Sequence, residues 1–256
     1  GIITEATLRL RPAPPPKVTM LAFFPSVAAA GEAVSRMTRA GLVPVTLELM
    51  DRRTLRAVDR ALDLGLDGEA GAMLLIESDA APGPAQAELD VAEAACREAG
   101  ATSLERAGDP ATADVLREAR RKAHWSRAQA GAARTEDISV PRSRASELMV
   151  AIDAISARHG MEIGVFGHAG DGNYHPTYVT GHDHPGEEAL IEAVRGDLYA
   201  VVLGLGGTIT GEHGTGTSKR AWIEDQFGPR GLAAMRAIKQ ALDPDGILNP
   251  GKVLPA

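Results

Sequence analysis

Apolar and polar positions follow two different periods along this chain, and the switches between them mark its elements. From Val18, VTMLAFF is compact and apolar and predicts a strand; SVAAAGEAVSRMTRAG has a serine placed to cap and an apolar face at helical spacing; VPVTLELM alternates. That is a β-α-β start. DRRTLRAVDRAL predicts a second helix, GAMLLIESD a buried strand, and PAQAELDVAEAACREAG a long amphipathic helix ending on Gly100 as a C-cap. Residues 18 to 106 thus form a split β-α-β unit. A helical stretch follows from Ala111 to Gln129, and DISVPRSRASELMVAIDAISARHG gives a short strand, a proline entry and a helix ending at Gly160. The second half repeats this grammar: strand Glu162 to Gly167, a turn, strand Tyr174 to Thr180, a helix from Pro185 to Leu205 and an extended piece, GTITGEHG. Helices SKRAWIEDQFG and PRGLAAMRAIKQALDPDG precede ILNPGKVLPA, where glycine and proline stop the helix and lay the tail across the surface. Two β-α-β halves on one sheet are expected.

The opening GIITEATLRLRPAPPP starts in mid-pattern, with an alternating strand run and then a proline-rich break. A strand needs a neighbour to pair with. Residues 1–16 therefore read as the end of a preceding domain with a semi-rigid linker, and residues 17–256 as the domain proper.

Composition narrows the function. The 256 residues are 44% hydrophobic and 24% charged, with a formal net charge of -7, and the basic residues alternate with acids. A nucleic-acid surface is not indicated. The single cysteine, Cys96, lies at helical spacing in an apolar pattern and reads as a buried thiol, so no disulfide framework can form within the chain. No apolar run approaches the roughly 18 residues that span a bilayer, and no leader pattern is present. The expectation is a soluble, cytoplasmic protein.

Three stretches could carry chemistry. In GVFGHAGDGNYHPTYV, the turn residues Gly170, Asp171, Gly172 and Asn173 can reverse the chain, so strands bearing His168 and His175 would lie adjacent and antiparallel. The two imidazoles could then meet on one face, as zinc-like metals require, either as ligands or as a structural pair. GGTITGEHGTGTSKR places Glu212 and His213 among glycines that allow close approach of a ligand; a flexible loop with a solvated pair is the alternative. The phosphate-loop and dinucleotide spacings are both absent. LREARRKAHW offers Arg117, Arg120, Arg121 and Lys122, of which only one or two can face a site; a guanidinium aimed inward would match a carboxylate. His182 and His184 read as part of a polar connection, and His159 suits a helix C-terminus.

Taken together, GHAGDGNYHP, GGTITGEHGTGTSKR and ILNPGKV resemble the C-terminal, substrate-side domain of the FAD-linked oxidases related to D-lactate dehydrogenase, the glycolate oxidase flavin subunit and D-2-hydroxyglutarate dehydrogenase. The resemblance runs over almost the whole chain, and GIITEATLRLRPAP looks like the end of that family's FAD-binding domain. It implies an α+β fold: a ferredoxin-like duplicated β-α-β cap whose large antiparallel sheet is covered by helices on one side.

The resemblance also implies roles. His168, His175 and Glu212 would hold a divalent ion, zinc or manganese. His213 would be the general base, Arg120 or Arg121 would bind the substrate carboxylate, and Asn249 would approach the flavin. The family's reaction oxidises a D-2-hydroxy acid such as lactate, glycolate or 2-hydroxyglutarate to the 2-oxo acid, with hydride passing to FAD held mostly by a covalently linked upstream domain. The isolated fragment would then be inactive. A downstream electron acceptor is expected, with peripheral membrane association through it, and a homodimer is compatible. Some members carry a polar amide where this chain has Thr177 and a lysine where it has Thr135, which weakens the case for 2-hydroxyglutarate. The alternatives from other classes are a metal-dependent hydrolase using the same ligand set and a non-catalytic binding domain.

Overall fold

The computed structural model describes residues 2–66, 69–108, 110–129, 132–180 and 187–255. They form two compact units, residues 15–212 and residues 1–14 with 213–256.

The larger unit begins β1 (Val18–Phe24), α1 (Val27–Arg39), β2 (Thr46–Asp51), α2 (Arg52–Leu62), β3 (Ala72–Ser78), α3 (Pro82–Glu98) and β4 (Ser103–Arg106). The local chemistry explains the boundaries. Ser26 Oγ accepts from Ala29 N at the start of α1, and Asp51 Oδ1 accepts from Thr54 N at the start of α2. Gly100, with φ of +85°, follows α3 in the left-handed region that a side chain disfavours. Then come α4 (Pro110–Arg121), α5 (Ala123–Ala128), β5 (Ala132–Thr135), β6 (Ile138–Ser139), α6 (Ala145–His159), β7 (Ile163–His168), β8 (Asn173–Thr180) and α7 (Glu187–Gly204).

All pairings are antiparallel, in the order β4-β1-β3-β2-β7-β8-β5, with β6 also on β8. The first half has the 4-1-3-2 order of a ferredoxin-like unit. The second half repeats it through β6, β7 and β8 and an isolated bridge between Ser139 and Thr208, and β2 meets β7 where the halves join. The expected duplicated cap is therefore the fold. The extended piece after α7 contributes only that bridge. Strands β4 and β5 had no periodic signal; both are short, and β4 is largely exposed, as sheet-edge strands often are.

Helices α1, α3, α6 and α7 pack on one another over one face of the sheet. Over part of the opposite face, Leu55 and Val58 of α2, Ala119 of α4 and Ala123 of α5 pack with Leu21, Phe23, Met50, Met73, Leu75 and Phe166. Two ion pairs pin α4 there: Arg117 Nη1 lies 2.6 Å from Glu77 Oε1, and Arg120 Nε 2.6 Å from Glu48 Oε2. Cys96 is buried, and desolvation pushes its thiol up to about 12, as the sequence reading expects of an inert core residue.

Beneath the sheet, Glu136 is buried and accepts hydrogen bonds from Tyr178 and Tyr199, with Arg195 Nε at 2.8 Å. Burial alone would raise its pKa, but the two hydroxyls and the Arg195 charge outweigh that and hold it below the ordinary carboxylate value. A depressed carboxylate contributes stability above its unfolded pKa and loses it as pH falls through the folded one. Glu136→Gln leaves Arg195 with the half-exposed Glu192 as its remaining carboxylate partner and weakens the charge-assisted bonds at the site, so a loss of about 2 kcal/mol is expected in urea unfolding at neutral pH. The gap to wild type should close as acid protonates Glu136.

In the smaller unit, residues 2–14 make no strand, and Ile2, Ile3, Leu8 and Leu10 are exposed. The strand expected there needs a partner, and none among the described residues pairs with it. Helix α8 (Ile223–Leu242) is broken at Gly228, φ +68°, before Pro229, which accounts for the two helices expected there. Asp243 then accepts from the backbone N–H groups of Ile247 and Leu248, and Arg220 Nη1 donates to Gly251 O, laying down the tail. Among the described residues, no helix is long and apolar enough to cross a membrane.

Candidate metal and substrate site

The β7–β8 hairpin pairs His168 with Asn173 and Phe166 with His175. Positions two apart on a strand share a face, so the imidazoles are diagonal neighbours, with ring centroids 5.6 Å apart and planes at 89°. The turn demands glycine at 172: φ is +73°, and a Cβ would stand 2.1 Å from Val140 O. This is the arrangement the sequence reading expects.

Glu212 reaches the same face from the loop after α7. Its Oε1 lies 3.5 Å from His168 Nε2 and 3.4 Å from His175 Nε2. Buried Asp137 holds that loop by accepting from Thr210 Oγ1 at 2.7 Å, Gly211 N at 2.9 Å and Glu212 N at 3.0 Å. Gly211 packs closely there: a Cβ would stand 2.2 Å from Asn173 Nδ2 and 2.6 Å from Ser139 Oγ, so both side chains would have to shift. Ligand–metal bonds of about 2.1 Å at tetrahedral angles put neighbouring ligand atoms roughly 3.4 Å apart. The three groups therefore fit one divalent ion, and two imidazoles with a carboxylate form a donor set that zinc and manganese accept.

The surroundings orient these three groups. Glu48 faces His168 across the β2–β7 pairing, with Oε1 2.6 Å from Nδ1. A proton on Nδ1 donated to that carboxylate leaves Nε2 as a lone-pair donor toward Glu212. The same hydrogen bond is the main reason the His168 pKa lies above its ordinary value. Asp137 Oδ1 stands 4.0 Å from His175 Nδ1. Three carboxylates, Glu48, Asp137 and Glu212, against one guanidinium make the locality favourable to a cation.

That guanidinium is Arg120. Its side chain is mostly buried, bonded to Glu48 and centred 5.2 Å from the Phe166 ring centroid. Arg121 points elsewhere, 73% exposed and paired with Glu118. Of the two alternatives left open by the sequence, the structure brings Arg120 to the histidines. Arg117 serves Glu77, and Lys122 lies near Glu118 and over the Trp125 ring.

Beyond His175 on the same face, Thr177 Oγ1 and Thr135 Oγ1 lie 3.0 Å apart, and His124 Nδ1 is 3.0 Å from Thr135 Oγ1. His213, exposed, follows Glu212 and opens the smaller unit. Asn249 belongs to that unit, exposed with φ of +47°, beside a 420 Å³ hollow along α8. His182 and His184 lie outside the described residues. The residues missed from sequence were Glu48 and the anchoring role of Asp137; the alternation of Thr46, Glu48 and Met50 on one face was the available signal.

Residues 13–253 match the family of C-terminal domains of FAD linked oxidases. The chain belongs to that family. Within it, the chain is 39% identical over 254 residues to the glycolate oxidase subunit GlcD of Bacillus subtilis, covering 99% of this chain and 54% of that protein. It is 33% identical to GlcD of Escherichia coli K12 (100% and 51%) and 32% identical to the probable mitochondrial D-lactate dehydrogenase of Danio rerio (99% and 51%). The chain thus spans about half the length of these relatives. Two solved structures share the fold: p-cresol methylhydroxylase with substrate bound (TM-score 0.71, 14% identity, 94% of this chain and 53% of that one) and 4-ethylphenol oxidase from Gulosibacter chungangensis (TM-score 0.64, 18%, 96% and 55%). The FAD-linked oxidase domain and its duplicated sheet thus agree with the sequence resemblance.

Proposed function

We propose that this FAD-linked oxidase domain forms the substrate side of an oxidoreductase that converts a short D-2-hydroxy acid to the 2-oxo acid with the help of a divalent ion. The observation that carries this reading is the convergence of His168 Nε2, His175 Nε2 and Glu212 Oε1 beside Arg120. Zinc or manganese at those three atoms would supply a Lewis acid for the substrate hydroxyl and carboxylate. FAD, held by an FAD-binding domain, would supply the hydride acceptor, with Asn249 as this chain's residue toward it. A downstream electron acceptor completes the cycle, and a homodimer is compatible with it.

This chain's own groups do the rest. Arg120 has N–H donors beyond the one given to Glu48, and these pair with the substrate carboxylate and fix the α-carbon. His213 accepts the hydroxyl proton as general base. Thr135 and Thr177, where some relatives of this family carry lysine and an amide, bond to each other, and His124 joins them. No permanent cation stands in that trio to receive a second carboxylate, which favours glycolate or lactate.

The test is anaerobic flavin bleaching, in protein that carries the FAD-binding domain joined to this one, by glycolate, D-lactate, L-lactate and D-2-hydroxyglutarate. Glycolate or D-lactate is expected to bleach the flavin, with D-2-hydroxyglutarate at least about tenfold poorer in kcat/KM because its second carboxylate is left unpaired. Preference for the dicarboxylate would reverse the reading of Thr135 and Thr177. Bleaching by none of the acids would reject the activity.

A further inference from the structure

We infer that Glu48 is a positioning residue that aims His168 at the metal, an assignment that rests on His168, His175 and Glu212 holding a divalent ion. Glu48 spends its two carboxylate oxygens on two different groups of the site: Oε1 on His168 Nδ1 and Oε2 on Arg120 Nε, each at 2.6 Å. It reaches them from the other half of the duplicated sheet, because β2 is the strand that joins β7 and puts Glu48 directly opposite His168. The side chain is 13% exposed, so its hydrogen bonds are little diluted by water.

The chemistry follows from what each partner demands. A ring nitrogen that ligates a metal must be unprotonated, so the proton of neutral His168 has to reside on Nδ1, and a carboxylate acceptor there fixes both that tautomer and the ring plane. Arg120 can do nothing for Nδ1–H, since both groups are donors. Only Glu48 satisfies both, and only as an anion: an amide at this position can accept from one partner while its NH₂ confronts the other.

Glu48→Gln should therefore weaken metal binding, whereas Arg120→Met, which breaks the same Arg120–Glu48 clamp on α4, should not. Removing a positive charge beside a cation site leaves affinity unchanged or tighter. The experiment is calorimetric titration of metal-stripped protein with Zn²⁺ and Mn²⁺, with thermal unfolding of each variant alongside. Glu48→Gln is expected to lose about 10- to 100-fold in affinity, the usual effect of removing a carboxylate behind a metal-bound histidine. Arg120→Met should keep wild-type affinity or better, even if its melting temperature falls as far. Equal losses in both variants would assign the effect to the α4 clamp and overturn the inference, as would unchanged affinity in Glu48→Gln. If the wild-type protein binds neither ion, the metal site itself is wrong, which separates that failure from failure of the Glu48 assignment.

Discussion

Replacing His175 by alanine is expected to strip the divalent ion and lower substrate-driven flavin reduction by roughly three orders of magnitude. A Lewis acid is worth several kcal/mol of charge stabilisation, and about 1.4 kcal/mol is tenfold in rate. His175 is buried at 3% exposure against Phe166, so the substitution also opens a cavity. Glu212→Ala provides the same test without that cost, since Glu212 is half-exposed and the substitution removes only the carboxylate proposed to hold the ion. Both variants should lose bound metal and activity together, read by elemental analysis and stopped-flow flavin absorbance. A metal-free His175→Ala protein with normal flavin reduction would remove the ion from the reaction.

The second large effect separates binding from proton transfer. His213→Asn is expected to keep the metal, because the ligands proposed for it are His168, His175 and Glu212, yet to lose about 10²- to 10⁴-fold in the rate of flavin reduction, the usual worth of a general base. Substrate affinity, read from the concentration dependence of the same trace, should change far less than the rate. Turnover at the wild-type rate would reassign the proton to another group.

Much of this was legible because the signals were local. The hairpin bearing His168 and His175 announced itself through its turn residues, and a strand period of two fixed which side chains share a face. The caps of α1 and α2, Ser26 and Asp51, stand at the boundaries that periodicity marks. What stayed hidden was long-range. Glu48 is 120 residues from His168, and only the pairing of β2 with β7 brings them together. The choice between Arg120 and Arg121 turned on helix phase: Arg117 and Arg120 are three apart and both reach sheet carboxylates, while Arg121 is turned about 100° further round. Asp137 carried no motif, because its work is to hold the backbone at 211 and 212.

The central claim is that His168, His175 and Glu212 share one divalent ion, and anomalous diffraction from crystals grown without chelator and soaked in zinc or manganese tests it directly. The expected result is a single strong peak within bonding distance, about 2.1 Å, of both Nε2 atoms and of Glu212 Oε1. A map with no peak there, or with the ion held by other residues while these three stay apart, would contradict it.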